Sequence, residues 1–156
     1  MNAHRAHDYR HLVQRWRAVA RAAGVPLEPF ARAGKSDLFY AQSPALAATG
    51  GLYISAGIHG DEPASTEGLI LWAEKNVRRL AALPLLIFPC LNPVGLALTT
   101  RTDADGADLN RLFHRDDHPV IRAVKEIVAP FQFTAALHMH EDYDAQGFYL
   151  YEPIRD

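Results

Sequence analysis

The chain has 156 residues, of which 49% are hydrophobic and 22% are charged, and its formal net charge at pH 7 is −2. This composition predicts one folded domain over residues 1–156 and excludes a disordered chain. The near-neutral charge excludes a broadly basic surface, so neither nucleic acid nor an anionic membrane is expected as a partner.

The sequence contains few signals that indicate a cellular location or a disulfide bond. The N-terminal "MNAHRAHDYRHLVQRW" has no apolar core of the kind that a secretory signal needs, and no stretch approaches the ~18 apolar residues of a membrane span. A cytoplasmic location is therefore expected. The chain has one cysteine, Cys90, which excludes an intrachain disulfide and predicts a buried thiol in the apolar run "LLIFPCLNP".

The first predicted element is an N-terminal helix over residues 8–23. Its apolar side chains, including Leu12, Trp16 and Val19, recur at helical spacing. Gly24 follows and is typical of a helix end.

The remaining predicted elements alternate between strand and helix and form a motif-bearing core over residues 37–156. In chain order they are the strands "DLFYAQ" and "LYISAG", the helix "PASTEGLILWAEKNVRRLAAL", the strand "LPLLIFPCLN", a long polar loop, the helix "PVIRAVKEIVAPF", and the strands "QFTAALHMH" and "GFYLYEP". This alternation predicts an α/β fold whose sheet is partly parallel and has helices on its faces. In such sheets ligands bind at the carboxyl ends of the strands.

The bend "GIHGDEPAS" places His59 and Glu62 at such a strand end. Gly57 and Gly60 permit a tight backbone there, and Pro63 suits the first turn of the next helix. A histidine nitrogen and a carboxylate oxygen are ligands that zinc prefers. The alternative interpretation is an acidic helix cap beside a solvated histidine.

The strand "FTAALHMH" offers a second source of ligands. Because side chains alternate along a strand, His138 and His140 are predicted to share one face near its carboxyl end. A lone histidine is usually structural, but two in register beside an acidic pair favour a ligand role.

The polar loop contains "NPVG" at residues 92–95, then Arg101, and then "GADLNRLF" with Asn110 and Arg111. Arginine offers a planar fork for a carboxylate, and asparagine offers directional hydrogen bonds. These residues indicate an anion site. The alternative is a surface loop with ordinary salt bridges.

Taken together, these segments resemble the zinc carboxypeptidase family, including its branch of succinylglutamate desuccinylases and aspartoacylases. "HGDEPA" looks like the first ligand pair of that family, "GADLNRLF" like its substrate-carboxylate segment and "FTAALHMHED" like its third-ligand strand. The resemblance runs from about Leu52 to Glu152 in the order of the family. It implies a three-layer α/β/α fold with a mixed, partly parallel sheet.

The resemblance implies one Zn2+ per chain, held by His59, Glu62 and His140. The family's ligand closes a strand whose frame matches Phe133 to His140, which favours His140 as the third ligand over His138. A water would complete the coordination and be activated by the metal.

The resemblance also implies roles for the loop residues. Arg101 would polarise the scissile carbonyl and stabilise the oxyanion. Asn110 and Arg111 would hold the substrate carboxylate, with Asp108 orienting Arg111.

The end of the sequence departs from the family. In members of the family, the general base is a glutamate on a strand well after the third ligand, and a tyrosine that closes over the substrate follows it. This chain ends soon after "HED", so we expect a C-terminal truncation and an incomplete sheet with an unpaired edge and an exposed apolar face. The acidic residues close enough in sequence to replace the base are Glu141, Asp142 and Glu152, and Glu141 points away from His140 if the strand continues.

The sequence therefore predicts a zinc-dependent, metallocarboxypeptidase-like hydrolase that cleaves an amide bond next to a free carboxylate. Its partner would be a small peptide or an N-acyl amino acid, and its oligomeric state stays open. One alternative is an N-acyl amino acid deacylase with the same metal site. Another is a non-catalytic zinc- or ligand-binding domain that lacks the base, and a third is an ordinary α/β domain with structural histidines.

Overall fold

The computed structural model describes residues 5–152. Within that range the α-helices are α1 (Tyr9–Ala23), α2 (Pro63–Lys75), α3 (Pro93–Leu98) and α4 (Pro119–Val128). The strands are β1 (Leu27–Ala33), β2 (Ser36–Gln42), β3 (Leu52–Ser55), β4 (Leu85–Phe88) and β5 (Ala135–His138). Short 3₁₀ segments lie at Leu80–Ala82 and Leu109–Arg111.

The strands form one mixed sheet in the order β1-β2-β4-β3-β5. The β1–β2 and β2–β4 pairs are antiparallel, whereas β3 is parallel to both β4 and β5. In the parallel part Ser55 lies opposite His138, so the carboxyl ends of β3 and β5 are neighbours. The predicted α/β class with a partly parallel sheet is confirmed.

Each face of the sheet carries its own apolar cluster. On one face α1 and α2 pack with residues that include Ile54 and Ile87. On the other face α4 packs with residues that include Tyr53 and Leu86. Successive residues of β3 and β4 therefore point to opposite faces, as the pleat of a strand requires. Helix, sheet and helix make three layers, as the sequence predicts.

The N-terminal helix is confirmed, and its ends follow from local chemistry. Asp8 is the N-cap, and its side chain accepts a hydrogen bond from the His11 amide at 2.9 Å. Gly24 ends α1 in the left-handed conformation, with φ of 66°. This conformation costs little in glycine because there is no Cβ.

Helix α2 ends earlier than the predicted "PASTEGLILWAEKNVRRLAAL". Asn76 is its C-cap, and the Asn76 side-chain amide donates to the Trp72 carbonyl at 2.8 Å. The Asn76 backbone amide also donates to the Trp72 and Ala73 carbonyls, at 3.1 and 3.2 Å, so Asn76 satisfies carbonyl groups of the last turn where the helix ends at Lys75.

Strand β1 is absent from the sequence prediction, in which the first strand begins at residue 37. Pro29 is accommodated because β1 lies at the edge of the sheet, and the register shifts between Pro29 and Ala31. The opposite error occurs at "GFYLYEP". Residues 147–152 are not in a strand, Phe148 is 88% exposed, and residue 153 lies outside the described range.

The structure also bears on the predictions for Cys90, for the sheet edge and for membrane-spanning helices. Cys90 is buried, and this burial raises the pKa of its thiol to about 12, which suits a structural thiol. Among the described residues, strand β5 is the last in the strand order, and its four residues are exposed. Within residues 5–152, no helix has the length and apolar content that crossing a bilayer requires. The organisation as one domain stays a prediction.

Candidate metal centre

The bend after β3 brings His59 and Glu62 into contact. His59 Nδ1 lies 2.8 Å from Glu62 Oε1, and both residues are buried, at 2% and 7% exposure. Gly57 has φ of +61°, which other residues rarely adopt. The bend therefore directs both side chains to one point at the start of α2.

His140 reaches the same point from the end of β5. Its Nδ1 lies 2.8 Å from Glu62 Oε2, and its ring centroid lies 4.9 Å from that of His59. The backbone amide of Glu141 donates to Glu62 Oε2 at 3.2 Å. Because the carboxyl ends of β3 and β5 are neighbours, residues shortly beyond each strand converge.

The geometry of these three residues fits a metal ion. One potential ligand atom from each of His59, Glu62 and His140 lies within 4.8 Å of the others. Two ligands of one zinc ion, each at about 2.0–2.2 Å, are separated by no more than about 4.4 Å. A closure of a few tenths of an ångström therefore brings all three donors to one ion. Two imidazoles and a carboxylate are also the donor types of catalytic zinc sites.

The charge state of the cluster also favours a cation. Burial alone would raise the pKa of Glu62, but hydrogen bonds from His140 and His59 outweigh it and lower the pKa to about 2. For His59, burial acts to lower the pKa, and the carboxylates of Glu62 and Asp108 more than offset it, so the pKa is raised. Both ring nitrogens of His59 thus face carboxylates, which stabilise positive charge there.

His138 lies outside this cluster. Its Nδ1 lies 3.0 Å from Ser55 Oγ, and its ring centroid is 5.1 Å from that of Tyr53. It occupies the last position of β5, where the ladder fixes its direction, whereas His140 lies beyond the strand. Of the two histidines that the sequence left open, the structure brings His140 to His59 and Glu62.

Arg101 and Asp108 border the cluster. Asp108 Oδ1 lies 3.1 Å from His59 Nε2, and Arg101 Nε donates to Asp108 Oδ2 at 3.1 Å. An Arg101 guanidinium nitrogen lies 3.6 Å from Glu62 Oε1. The Asp108 carboxylate is shared between His59 and Arg101, so the predicted orientation of Arg111 by Asp108 is not seen among the described contacts and stays a prediction.

Asn110 and Arg111 lie in the short 3₁₀ segment that follows Asp108. The Asn110 amide donates to Asp108 Oδ1 at 3.1 Å, which caps this segment. The Arg111 side chain is exposed, and within residues 5–152 it makes no salt bridge. The structure therefore places both residues beside Asp108 without bringing either side chain into contact with the three clustered residues.

The segment "NPVG" begins helix α3 and is not part of a polar loop. Asn92 caps α3 by accepting from the Gly95 amide at 2.8 Å, and its own amide donates to the Gly57 carbonyl at 2.8 Å. A Cβ added to Gly60 would lie 1.9 Å from the Gly95 carbonyl carbon. Helix α3 therefore supports the bend through close backbone contact. Asparagine at an N-cap followed by proline was the signal for this unpredicted helix.

The sheet order and the clustered side chains define an α/β domain with a candidate metal centre next to its parallel strands. The profile of the succinylglutamate desuccinylase/aspartoacylase catalytic domain matches residues 48–143, more than half of the chain. The chain therefore belongs to the succinylglutamate desuccinylase/aspartoacylase family, as its motifs predict. Comparison with the curated proteins gives no match.

Three solved structures illustrate the shared fold. A metallo-carboxypeptidase from Burkholderia cenocepacia is 22% identical, with a TM-score of 0.73 over 88% of this chain and 42% of that chain. The murein-tripeptide amidase MpaA from Escherichia coli O157 is 23% identical, with a TM-score of 0.62 over 75% and 62%. A metallo-carboxypeptidase from Pseudomonas aeruginosa, in complex with (2-guanidinoethylmercapto)succinic acid, is 25% identical, with a TM-score of 0.61 over 83% and 39%. The chain thus spans 39–62% of the length of these three structures.

Proposed function

We propose that this chain is a zinc-dependent hydrolase that cleaves an amide bond next to a free carboxylate. The observation that carries the proposal is the convergence of His59, Glu62 and His140, whose ligand atoms lie within 4.8 Å of one another at the carboxyl ends of parallel strands. Membership of the succinylglutamate desuccinylase/aspartoacylase family supports it.

In this proposal His59, Glu62 and His140 would hold one zinc ion, with Nδ1 of each histidine directed toward the Glu62 carboxylate. When bound, zinc supplies Lewis acidity to a carbonyl group and lowers the pKa of water. His59 must release its Nδ1 proton to act as a ligand. Its other ring nitrogen donates to Asp108, which holds the ring in place, as metal-binding histidines commonly require.

Arg101 is the group that would stabilise negative charge on the substrate carbonyl oxygen. Its guanidinium lies 3.6 Å from the Glu62 carboxylate and is held by Asp108, so a fixed positive charge borders the proposed metal. It is 46% exposed, which leaves it accessible to a substrate. Preorganised donors of this kind lower the barrier because they need no rearrangement during the reaction.

Asn110 and Arg111 would bind the substrate carboxylate. Arg111 is exposed and its fork is not held in a salt bridge within the described residues. A bidentate pair with a carboxylate would give it orientation as well as affinity.

The substrate is a small peptide or an N-acyl amino acid. The metallo-carboxypeptidases and the murein-tripeptide amidase among the similar structures favour a peptide. The family profile of succinylglutamate desuccinylases and aspartoacylases favours the second candidate function, deacylation of an N-acyl amino acid. Assays of the zinc-loaded protein on short peptides and on N-succinyl and N-acetyl amino acids distinguish the two.

A non-catalytic zinc-binding domain is another alternative, because the two carboxylates that directly follow His140 in sequence are already engaged. Glu141 accepts from the Ala64 amide at 2.9 Å, and Asp142 accepts from the Asp144 amide at 3.0 Å and from the Tyr149 hydroxyl. Zinc bound at one ion per chain without turnover of either substrate class would support this alternative.

Metal analysis tests the centre itself. Replacing His59 by Ala should reduce bound zinc, measured by mass spectrometry, from about one ion per chain to near zero, because it removes the most buried ligand. His114→Ala is the matched control, since His114 is exposed and outside the cluster. Full zinc retention in His59→Ala would rule out the proposed metal centre.

A further inference from the structure

The segment of residues 99–118, between α3 and α4, carries most of the polar groups beside the cluster. These groups are Arg101, Asp108, Asn110 and Arg111. Its only helical piece within that range is the 3₁₀ segment Leu109–Arg111. An irregular segment of this length has many conformations to lose, so specific contacts must fix it.

The second half of the segment is held at the cluster. Leu109 is 1% exposed and packs in the apolar cluster on the α4 face of the sheet. Asp108 faces His59 at 3.1 Å. These two contacts fix the segment from Asp108 onward.

The first half is organised around Asp103. Its Oδ1 accepts from the Asp105 amide at 3.0 Å and from the Ala107 amide at 2.8 Å. The Asp103 amide in turn donates to the Ala107 carbonyl at 3.0 Å. Asp103 therefore closes a compact turn that ends directly before Asp108.

The other oxygen of Asp103 joins this turn to α4. Asp103 Oδ2 lies 3.0 Å from His118 Nε2, and the two side chains are only 12% and 15% exposed. Partial burial shields this contact from water, so it constrains the segment more than an exposed pair would.

His118 departs from the local rule for its position. It is the N-cap of α4, where Ser, Thr, Asp or Asn is preferred, and its side chain makes no capping hydrogen bond. The ring turns to Asp103 instead. His118 lacks the usual capping hydrogen bond and makes a contact with a residue distant in sequence. Such a departure from local preference favours a structural or functional role for that contact.

We propose that Asp103 and His118 are positioning residues that fix the segment of residues 99–118 over the metal centre. By holding the turn against α4, the pair sets where Asp108 meets His59 and where Asn110 and Arg111 meet a substrate carboxylate. The part that concerns the carboxylate rests on the proposed function. The part that concerns the order of the segment does not.

Hydrogen–deuterium exchange tests the positioning directly. His118→Phe retains the ring shape and removes the nitrogen, and His118→Gln restores an N–H donor near the Nε2 position. In the purified protein without added metal, the Ala107 and Asn110 amides should exchange about tenfold faster in His118→Phe and near the wild-type rate in His118→Gln. His114→Phe, in the same segment, is the matched control and should leave both rates unchanged. Unchanged exchange at these amides in His118→Phe would overturn the proposal.

A second variant guards against misfolding of the first. Asp103→Ala removes the carboxylate that faces His118 and leaves Asp108, the acceptor of the Asn110 amide, in place, so faster exchange of the Asn110 amide is expected there too. Unaltered α2 and β3 amides serve as internal references for an intact fold.

Succinate then tests the consequence for ligand binding. His118→Phe should bind succinate about tenfold more weakly by calorimetry, with the affinity restored in His118→Gln. Faster exchange with unchanged succinate affinity would overturn the role in carboxylate binding. If the wild type binds no succinate, the carboxylate site of the proposed function fails, and the exchange rates still decide whether the pair fixes the segment.

Discussion

Glu62 is the residue on which the two histidine rings converge. One oxygen faces His59 and the other faces His140, each at 2.8 Å. Burial opposes its ionisation, yet the hydrogen bonds hold its pKa near 2, so it is a carboxylate at neutral pH. At this buried anion the proposed cation would replace the two hydrogen bonds with metal–ligand bonds.

Asp108 shows how one carboxylate couples two proposed functions. It contacts His59 through one oxygen and Arg101 through the other. Burial alone would raise the pKa of Asp108, but the hydrogen bonds from His59 and Arg101 outweigh it, so the pKa is lowered. Loss of this carboxylate would therefore release a proposed ligand and the proposed oxyanion group together.

Arg111 provides a prediction at the residue scale. Replacing Arg111 by Ala should leave bound zinc unchanged and weaken succinate binding by about 2 kcal/mol, or ~30-fold, because a charged hydrogen-bonded pair is lost. Zinc content by mass spectrometry and succinate affinity by calorimetry measure the two effects.

Arg122→Ala is the control for this prediction. Arg122 is also an exposed arginine, but it lies on α4 outside the segment of residues 99–118. Its replacement should change neither quantity. Equal succinate affinity in the wild type and Arg111→Ala would remove Arg111 from the carboxylate site.

At the scale of elements, α1 and α2 are joined by an ion network as well as by apolar packing. Arg15 on α1 donates to Glu67 at 2.7 Å and forms two bonds to Glu74, at 2.8 and 2.9 Å, on α2. Two parallel bonds to one carboxylate give the pair a defined geometry. The hydrogen bond from Arg15 lowers the pKa of Glu74 below its usual value of 4.5.

This network predicts a pH-dependent contribution to stability. A carboxyl with a lowered pKa in the folded state stabilises the protein above its unfolded pKa, near 4.5, and loses this contribution as the pH falls through the lower folded value. Glu74→Gln should therefore have a lower Tm than the wild type at pH 7, and the difference should shrink as the pH is lowered from 5 toward 3.

Thermal melting monitored by circular dichroism between pH 7 and pH 3 measures this difference. Glu126→Gln is the control, because Glu126 is exposed on α4 and makes no salt bridge within residues 5–152. A Tm difference for Glu74→Gln that stays constant over this pH range would contradict the assigned role of Arg15.

At the scale of the whole molecule, the proposed metal ion joins parts of the chain that are far apart in sequence. His59 and Glu62 lie between β3 and α2, whereas His140 follows β5, the last strand of the described range. A ligand that binds only the folded state stabilises it, by about 2.7 kcal/mol at a concentration 100 times the Kd. For a chain of this size, that corresponds to a rise in Tm of about 5–10 °C.

Metal removal tests this long-range link. Chelation followed by dialysis should lower the Tm by about that amount, and added zinc should restore it. Magnesium should not, because it prefers oxygen ligands in octahedral geometry. The zinc-induced rise should vanish in His140→Ala, and a rise of the same size in that variant would place the zinc elsewhere.

The sequence by itself determined the local parts of this protein. Helix α1, the α/β alternation and the residues His59 and Glu62 followed from apolar periodicity, capping residues and a short motif. These features depend on neighbours in sequence, so local rules suffice. The family resemblance gave the candidates that lie further apart.

Only the tertiary structure decided which side chains meet. It brought His140 rather than His138 to Glu62, and it paired Asp108 with Arg101 instead of Arg111. It also made an edge strand of the proline-containing β1 and left residues 147–152 outside any strand. Strand neighbours and the ends of the ladder set these outcomes, and both arise from contacts between residues that are distant along the chain.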